Sequence, residues 1–264
     1  MLMEVRNQIK ISILSIKYAI MREMLNKATF LSNIIFMILN NATMIIQWVI
    51  LYSIKDNIGG YQFKDILLLW GLASSSYGVA HFFFKKAFSL SDIINTGKLD
   101  AFLVQPKNVL IYAITTDVSP SALGDLIYGY ILLFISGFTF SKFILFTLFT
   151  ITGGLIITSY SVILNSLSFW FKKSDVLADK GVSSIVHFGT YPDAIFKGAA
   201  KIMLFTIIPV GLSNYIPLRI MINFDLGLVL VVISFTILSI MFAFFLFYKG
   251  IKKYSSSNLM IARI

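Results

Sequence analysis

The chain has 264 residues, of which 58% are hydrophobic and only 13% are charged. The apolar residues form long charge-free runs instead of amphipathic periods, which excludes an ordinary soluble domain. The absence of cysteine excludes disulfides, thiolate metal sites and cysteine nucleophiles, and the net charge of +10 indicates contact with membrane headgroups and not with nucleic acid.

Residues 1–27 predict an amphipathic helix that lies along the membrane surface. Because basic residues interrupt any signal-peptide core, we expect the N-terminus to be retained. The helix serves either as a topological anchor or as a contact surface for a cytoplasmic partner. The basic residues, which alternate with apolar positions, are Arg6, Lys10, Lys17, Arg22 and Lys27.

The apolar runs predict an all-α integral membrane protein with six transmembrane helices in a single domain, residues 1–264. The first run has no charged residue, and at 1.5 Å per residue it exceeds the roughly 30 Å hydrocarbon core. Small residues in the second run favour close helix packing, and Asp125 in the third is expected to lie at the cytoplasmic end or to face protein. The predicted spans are 28–54, 66–84, 122–140, 145–171, 188–208 and 226–248.

The distribution of lysine and arginine predicts that both chain ends are cytoplasmic. The N-terminal segment, the loop 85–108, the segment 172–201 and the C-terminal tail together hold 18 of these residues, and the other side holds four. Cytoplasmic loops carry the positive excess. Two cytoplasmic ends require an even number of spans, and therefore a fifth span between Lys173 and Asp225.

The region of the fifth span is irregular. Asp193, Lys197 and Lys201 are spaced by four, which predicts one helical stripe of paired charges that faces protein or water. The segment 209–217 then carries a proline at each end and Gly211 between them. Irregular backbone at membrane depth needs protein or a water-filled cavity around it. We expect a short broken or re-entrant element on the outer side between spans five and six; the alternative is a single proline-kinked span.

The loop 89–108 predicts two short amphipathic helices between spans two and three. Gly97 suits the end of the first helix. The two helices form either a docking surface for a soluble cytoplasmic partner or an interfacial element that lies among the headgroups. Their apolar faces consist of Leu90, Ile93 and Ile94, and of Leu99, Phe102 and Leu103.

Sequence signatures of an enzyme are missing. Gly97-Lys98 is the one Gly-Lys pair, and it lacks the preceding glycine of a phosphate-binding loop because position 92 is Asp. His81 and His187 are isolated from each other and from any acidic cluster in the sequence, so we expect neither a metal site nor a catalytic histidine. We therefore expect no cofactor on this chain.

Ionisable groups are scarce at mid-membrane in the predicted spans, so the energy for any transport is expected to come from a partner. Several amides within the spans could line a substrate path or form interhelical hydrogen bonds. These amides are Asn33, Asn40, Asn41, Gln47 and Asn165.

Three motifs, in order along the chain, resemble those of a known family. Gly97-Lys98-Leu99-Asp100 followed by Leu103-Val104-Gln105-Pro106 is similar to the cytoplasmic loop of ABC type-2 exporter permeases. Ile208-Pro209 with Tyr215-Ile216-Pro217, and the tail that runs Lys249-Gly250-Ile251-Lys252-Lys253-Tyr254-Ser255, resemble further landmarks of that family. Many relatives have Glu and Arg where this chain has Lys98 and Gln105.

The resemblance implies a permease that carries no ATPase domain, pairs with an identical or related second permease, and is driven by two ATP-binding subunits that hold ATP and Mg. It places the docking of these subunits on 1–27 and on about 87–106, and an outer gate on 209–217. The docking residues would be Asp92, Gly97, Lys98, Leu99, Asp100, Leu103 and Pro106. The gate residues would be Pro209, Gly211, Tyr215 and Pro217.

We therefore expect an ATP-driven exporter subunit in the cytoplasmic membrane that moves an amphipathic substrate by alternating access. The alternative is a passive channel or a membrane scaffold that acts without an ATPase. An intramembrane enzyme would need turnover that depends on His81 or His187.

Overall fold

The computed structural model describes residues 2–171 and 174–255, and this part of the chain is helical without named strands. Three short 3-10 segments, at Lys85–Ser89, Leu167–Phe169 and Asp193–Ile195, and one π-helix, Gly211–Tyr215, join the α-helices. The α-helices are α1 (Leu2–Glu23), α2 (Lys27–Ile54), α3 (Phe63–Phe83), α4 (Leu90–Asn95), α5 (Asp100–Leu103), α6 (Val109–Ile114), α7 (Pro120–Ile135), α8 (Phe140–Ser166), α9 (Ser174–Gly189), α10 (Gly198–Thr206), α11 (Ile216–Ile222) and α12 (Leu226–Ile251).

Among the described residues, four helices are long and apolar enough to cross a membrane: α2, α3, α8 and α12. They coincide with the predicted spans one, two, four and six. The broken helix of α10 and Gly211–Ile222 raises the number to five if it counts as one span. Length and composition thus support four or five membrane-capable helices, and the predicted six are not established by them.

The third predicted span is shorter than expected. It was predicted over 122–140, whereas α7 begins at Pro120 and ends at Ile135. Ser136 caps this helix, and Gly137 with φ +108° then turns the chain toward α8. A left-handed backbone at this point is compatible with glycine and ends the helix before the apolar run does.

The core lies around α3, which packs against α7 and α8 through small residues. Gly71 and Ser75 of α3 lie against Gly129 of α7, and Ser76 of α3 lies against Gly153 of α8. Side chains of this size let the helix backbones approach closely, as the sequence predicted for this stretch. Phe146 and Phe149 of α8 complete the buried cluster around this contact.

The bundle has two ends, which are separated by the 21 residues or about 31 Å of α3. The loop end carries α1, the segment 84–119 and the tail that follows α12. The Asp193 end carries the turn between α2 and α3, the 3-10 segment that holds Asp193, and Arg219 of α11. Tyr61, which precedes α3, fixes this second end because its hydroxyl donates to Asp193.

The helix that connects the two ends before the broken element is α9, so the predicted fifth span over 188–208 is wrong as a single helix. Ser174 at the start of α9 shares a hydrogen bond with Ser168 at the loop end, and Gly189 lies at the other end of α9. Lys197 and Lys201 consequently lie at the Asp193 end. Moving these two lysines changes the split of basic residues from 18 and four to 16 and six.

The element between α9 and α12 is broken, as the prolines predicted. The axes of α10 and of Gly211–Ile222 differ by 78°. Pro209 has no backbone N–H to continue the helix, and the π-helix Gly211–Tyr215 follows immediately. The predicted alternative of a single kinked span would need a much smaller bend.

Candidate functional site

The loop that follows α3 is folded against the ends of two long helices. Leu90, Ile93 and Ile94 of α4 and Leu99 after it are buried with Phe247 of α12 in one apolar cluster. Gly97 ends α4 with φ +76°, a left-handed conformation that glycine adopts without strain. The two predicted short helices are therefore present. The apolar face of α4 and Leu99 turn toward the bundle, whereas Leu103 of the second face is exposed.

Asn165 of α8 fixes this loop by hydrogen bonds. Its Oδ1 accepts from the Ser91 backbone N–H at 3.1 Å, and its Nδ2 donates to the Ser161 carbonyl at 2.9 Å. The Ser161 hydroxyl in turn donates to the Ala87 carbonyl at 3.0 Å. Both polar atoms of Asn165 therefore have partners inside the protein.

The C-terminal tail closes the same cluster. The ring of Tyr254 packs edge-on against Phe169, with centroids 6.2 Å apart. Burial, together with a hydrogen bond and the negative charge of Asp100, raises the pKa of Tyr254 to about 12, so its phenol stays neutral at physiological pH. Tyr254 is part of the tail motif, but nothing in the sequence pairs it with Asp100.

The N-terminal helix lies beside the loop. The Asn108 backbone N–H donates to Gln8 Oε1 at 2.9 Å, and the Ser15 hydroxyl donates to the Thr115 carbonyl at 3.1 Å. Arg22 and two lysines, Lys85 at 3.3 Å and Lys86 at 3.7 Å, surround the carboxylate of Asp117. The N-terminal helix thus lies beside the end of the predicted docking loop, where Gln8 is near Gln105 and Pro106.

The π-helix Gly211–Tyr215 is buried and holds the end of α9. The Tyr215 hydroxyl donates to the Phe188 carbonyl at 2.7 Å, and Asn214 Nδ2 donates to the Gly189 carbonyl at 3.3 Å. A Cβ at Gly211 would meet the Phe205 ring at 2.2 Å, so only glycine fits there. The predicted gate residues Pro209, Gly211, Tyr215 and Pro217 are all buried.

A cluster of charges lies at the Asp193 end. The Asp193 side chain is only 3% exposed and accepts from the Tyr61 hydroxyl at 2.6 Å. Lys201 approaches it at 3.1 Å, and Arg219 forms a second ion pair. The predicted helical stripe of Asp193, Lys197 and Lys201 is wrong, because α10 begins only at Gly198 and Asp193 lies in a separate 3-10 segment.

A cavity of about 400 Å³ opens between α2, α3, α7 and α9. Tyr77, His81 and His187 line it together with Asn41 and Asp125. Asp125 is buried as predicted, and Asn41 Nδ2 donates to its carboxylate at 2.6 Å. The two histidines are isolated in the sequence, but both line this cavity because α3 and α9 are adjacent in space.

The cavity nevertheless shows no catalytic relay. In the described ranges, neither histidine side chain makes a hydrogen bond to an acid, and no three or more His, Cys, Asp or Glu side chains are arranged to hold a metal ion.

A family model described as ABC-2 family transporter protein matches residues 38–258. The chain belongs to the ABC-2 transporter family. No curated protein and no solved structure gives a significant match. The family match confirms the resemblance drawn from the three motifs. Together with the apolar helices, it identifies this ABC-2 protein as a multi-pass membrane protein and a transport component.

The predicted docking residues of this ABC-2 protein divide into three groups by burial. Leu99 is fully buried and therefore anchors the loop without reaching a partner directly. Gly97 and Asp100 are half-buried. The residues that form an exposed surface are Asp92, Lys98, Leu103 and Pro106, with Val104 between them 79% exposed.

The polar stripe of α2 points away from the rest of the subunit. Asn33, Asn40 and Gln47 are spaced by seven and are all exposed, so they share one helix face. None of the three lines the cavity, whereas the neighbouring Asn41 does. In this ABC-2 protein the stripe is therefore not covered by the described part of the subunit.

Proposed function

We propose that the chain is the permease subunit of an ATP-driven ABC exporter that moves an amphipathic substrate, such as a drug, antibiotic, peptide or lipid-like molecule, across the cytoplasmic membrane by alternating access. The observation that carries this proposal is the loop end: one face of the 90–103 segment is buried on α8 and α12, and the other is exposed. Such a loop can transmit a movement of a soluble partner to the transmembrane helices against which it packs.

The proposed topology has six spans: α2, α3, α7, α8, α9 and α12. Both chain ends and the loop end are cytoplasmic, and α10 with α11 forms a re-entrant element on the outer side. The excess of basic residues at the loop end supports this orientation. At 16 residues, α7 and α9 are short for a span, which a local thinning of the bilayer accommodates.

The proposed partners are two ATP-binding subunits and a second permease, identical or related. The ATP-binding subunits hold ATP and Mg and dock on the exposed surface around Lys98, Leu103 and Pro106. The second permease covers the polar stripe of α2, because Asn33, Asn40 and Gln47 would otherwise lie unpaired against lipid. The buried π-helix closes the outer end of the path.

The test compares two exposed apolar residues at opposite ends of the bundle. Val104→Asp places a charge on the proposed docking surface, and Phe224→Asp places the same charge on a residue that is 66% exposed at the other end. We expect Val104→Asp to abolish co-purification of the ATP-binding subunits and ATP-dependent efflux of an amphipathic dye, and Phe224→Asp to retain both.

Equal behaviour of the two variants would contradict the docking surface. Solubilised complexes without any ATP-binding subunit would contradict the permease role itself. Full dye flux in proteoliposomes of the isolated chain, without ATP, would favour the alternative of a passive channel.

A further inference from the structure

Asp125 is a buried acid of α7, and no basic side chain in the described part of the chain pairs with it. Its side chain is buried at 6% exposure, and among the described residues its carboxylate bonds only to Asn41 Nδ2. An amide donor does not neutralise a charge, and a buried carboxylate away from water is costly unless a cation compensates it. In contrast, the buried Asp193 has two basic partners.

The space beside Asp125 is lined by aromatic rings. Tyr77 and His81 stack with centroids 4.9 Å apart, and His81 lies 4.3 Å from the Phe88 ring. The wall from α9 adds Val182 and Val186, and the rim adds a second acid, Asp179. No lysine or arginine of the described chain lines the cavity.

The buried carboxylate and the aromatic lining together favour a ligand that has both a positive charge and an apolar surface. Aromatic faces attract cations through their quadrupole, and a carboxylate in a low-dielectric site repels anions. A metal ion would find too few ligands here, whereas an organic cation can place its alkyl or aryl groups against the rings and valines. The volume of about 400 Å³ suits a small organic molecule.

We propose that this cavity binds an organic cation, such as a protonated amine or a quaternary centre, with the positive charge beside Asp125 and the apolar groups against Tyr77, Phe88 and α9. This inference rests on the proposed permease function and names its substrate class. Tyr77 and His81 lie in the half of α3 nearest the loop end, so the cation enters from the proposed cytoplasmic side.

The test uses two ions of the same shape and opposite charge, tetraphenylphosphonium and tetraphenylborate. Binding of each to the full chain in lipid nanodiscs is measured by equilibrium dialysis without ATP or ATP-binding subunits, and partition into empty nanodiscs is subtracted. We expect saturable binding of the phosphonium only. Asp125→Asn should weaken it by about tenfold, and Asp125→Glu should restore most of it.

The matched control is Asp175→Asn, which removes an exposed acid from α9 outside the cavity and should leave binding unchanged. If Asp125→Asn fails to fold, Tyr77→Leu removes one ring and should weaken binding by about threefold. Equal binding of both ions, or undiminished phosphonium binding in both cavity variants, would overturn the proposal. The binding assay contains no ATP and no ATP-binding subunits. A failure of this proposal is therefore measured separately from a failure of the permease function, which is tested by ATP-dependent efflux.

Discussion

Three polar residues inside the bundle show how differently a buried group can be compensated. Asn165 satisfies both its polar atoms within the protein and thereby joins the loop to α8. Asp193 is neutralised by bases from two other segments, Lys201 and Arg219. Among the residues that the structure describes, the Asp125 carboxylate bonds only to the amide of Asn41, and this lack of a compensating cation is the reason for proposing a cationic ligand beside it.

The Asp193 cluster gives a prediction for a single residue. Asp193→Asn should lower the stability of the protein by about 2 kcal/mol, because the amide removes the charge that Lys201 and Arg219 face. Thermal unfolding in detergent measures this. Asp56→Asn, an exposed acid near the same end, should change the midpoint little, and an equal loss in both variants would contradict the assigned role.

Sequence periodicity identified Asp193 as a residue that needs a basic partner and included Lys201, which does pair with it, but it missed two further partners. Spacing along a helix reports only neighbours within about one turn. The two further contacts come from Arg219, 26 positions away, and Tyr61, 132 positions away. Similarly, His81 and His187 meet the same cavity only because α3 and α9 pack side by side.

At the scale of helices, the contact of α3 with α7 depends on residues without bulk. A Cβ at Gly129 would lie 1.9 Å from Ser75 Oγ and 2.4 Å from the Gly71 carbonyl oxygen. The backbones cannot separate without opening the core around Phe146. The sequence predicted this packing from the small residues of α3, but it did not identify α7 as the partner.

Gly129→Ala should therefore destabilise the bundle by about 1–3 kcal/mol despite the higher helix propensity of alanine. Gly227→Ala is the matched control in α12, where the added Cβ meets only Asp225 Oδ1 at 3.1 Å. Denaturation in mixed micelles compares the two. A Gly129→Ala protein as stable as the control would show that the helices have room to adjust.

Charge-free runs predicted α2, α3, α8 and α12 because lipid or a dry core surrounds these helices on all sides. The same criterion missed α9, whose first two turns carry Asp175, Asp179 and Lys180. A signal was available: Ala178, Val182 and Ile185 recur at helical spacing and are buried. A helix that packs one face in the core and lines a polar space with the opposite face has an amphipathic period and not an apolar run.

For the whole molecule, the relocation of Lys197 gives a test of sidedness. The chain has no cysteine, so an introduced thiol is unique. Asp56→Cys and Lys197→Cys should react in intact cells with a membrane-impermeant maleimide, and Val104→Cys only after permeabilisation. If position 197, like position 104, were labelled only after permeabilisation, Lys197 would lie on the cytoplasmic side. This result would contradict α9 as a span.

The sequence alone predicted a helical membrane protein of the correct family and the excess of basic residues at the loop end. It could not place α9, Lys201 or the cavity, because each depends on which helices become neighbours. The predicted excess of basic residues at the loop end survives this error. After the two lysines are moved, 16 lysines and arginines remain on that side and six lie on the other.

The fixation of the loop has a mechanical consequence. Leu99 is enclosed and Asn165 holds the Ser91 backbone, so the loop has little slack in which to absorb a displacement. α8 has 27 residues and is about 40 Å long. A rod of this length that pivots near its middle moves its far end as much as its near end, in the opposite direction. If α8 turned in this way, a shift at the exposed face of the loop would appear in the opposite direction at the far side of the bundle.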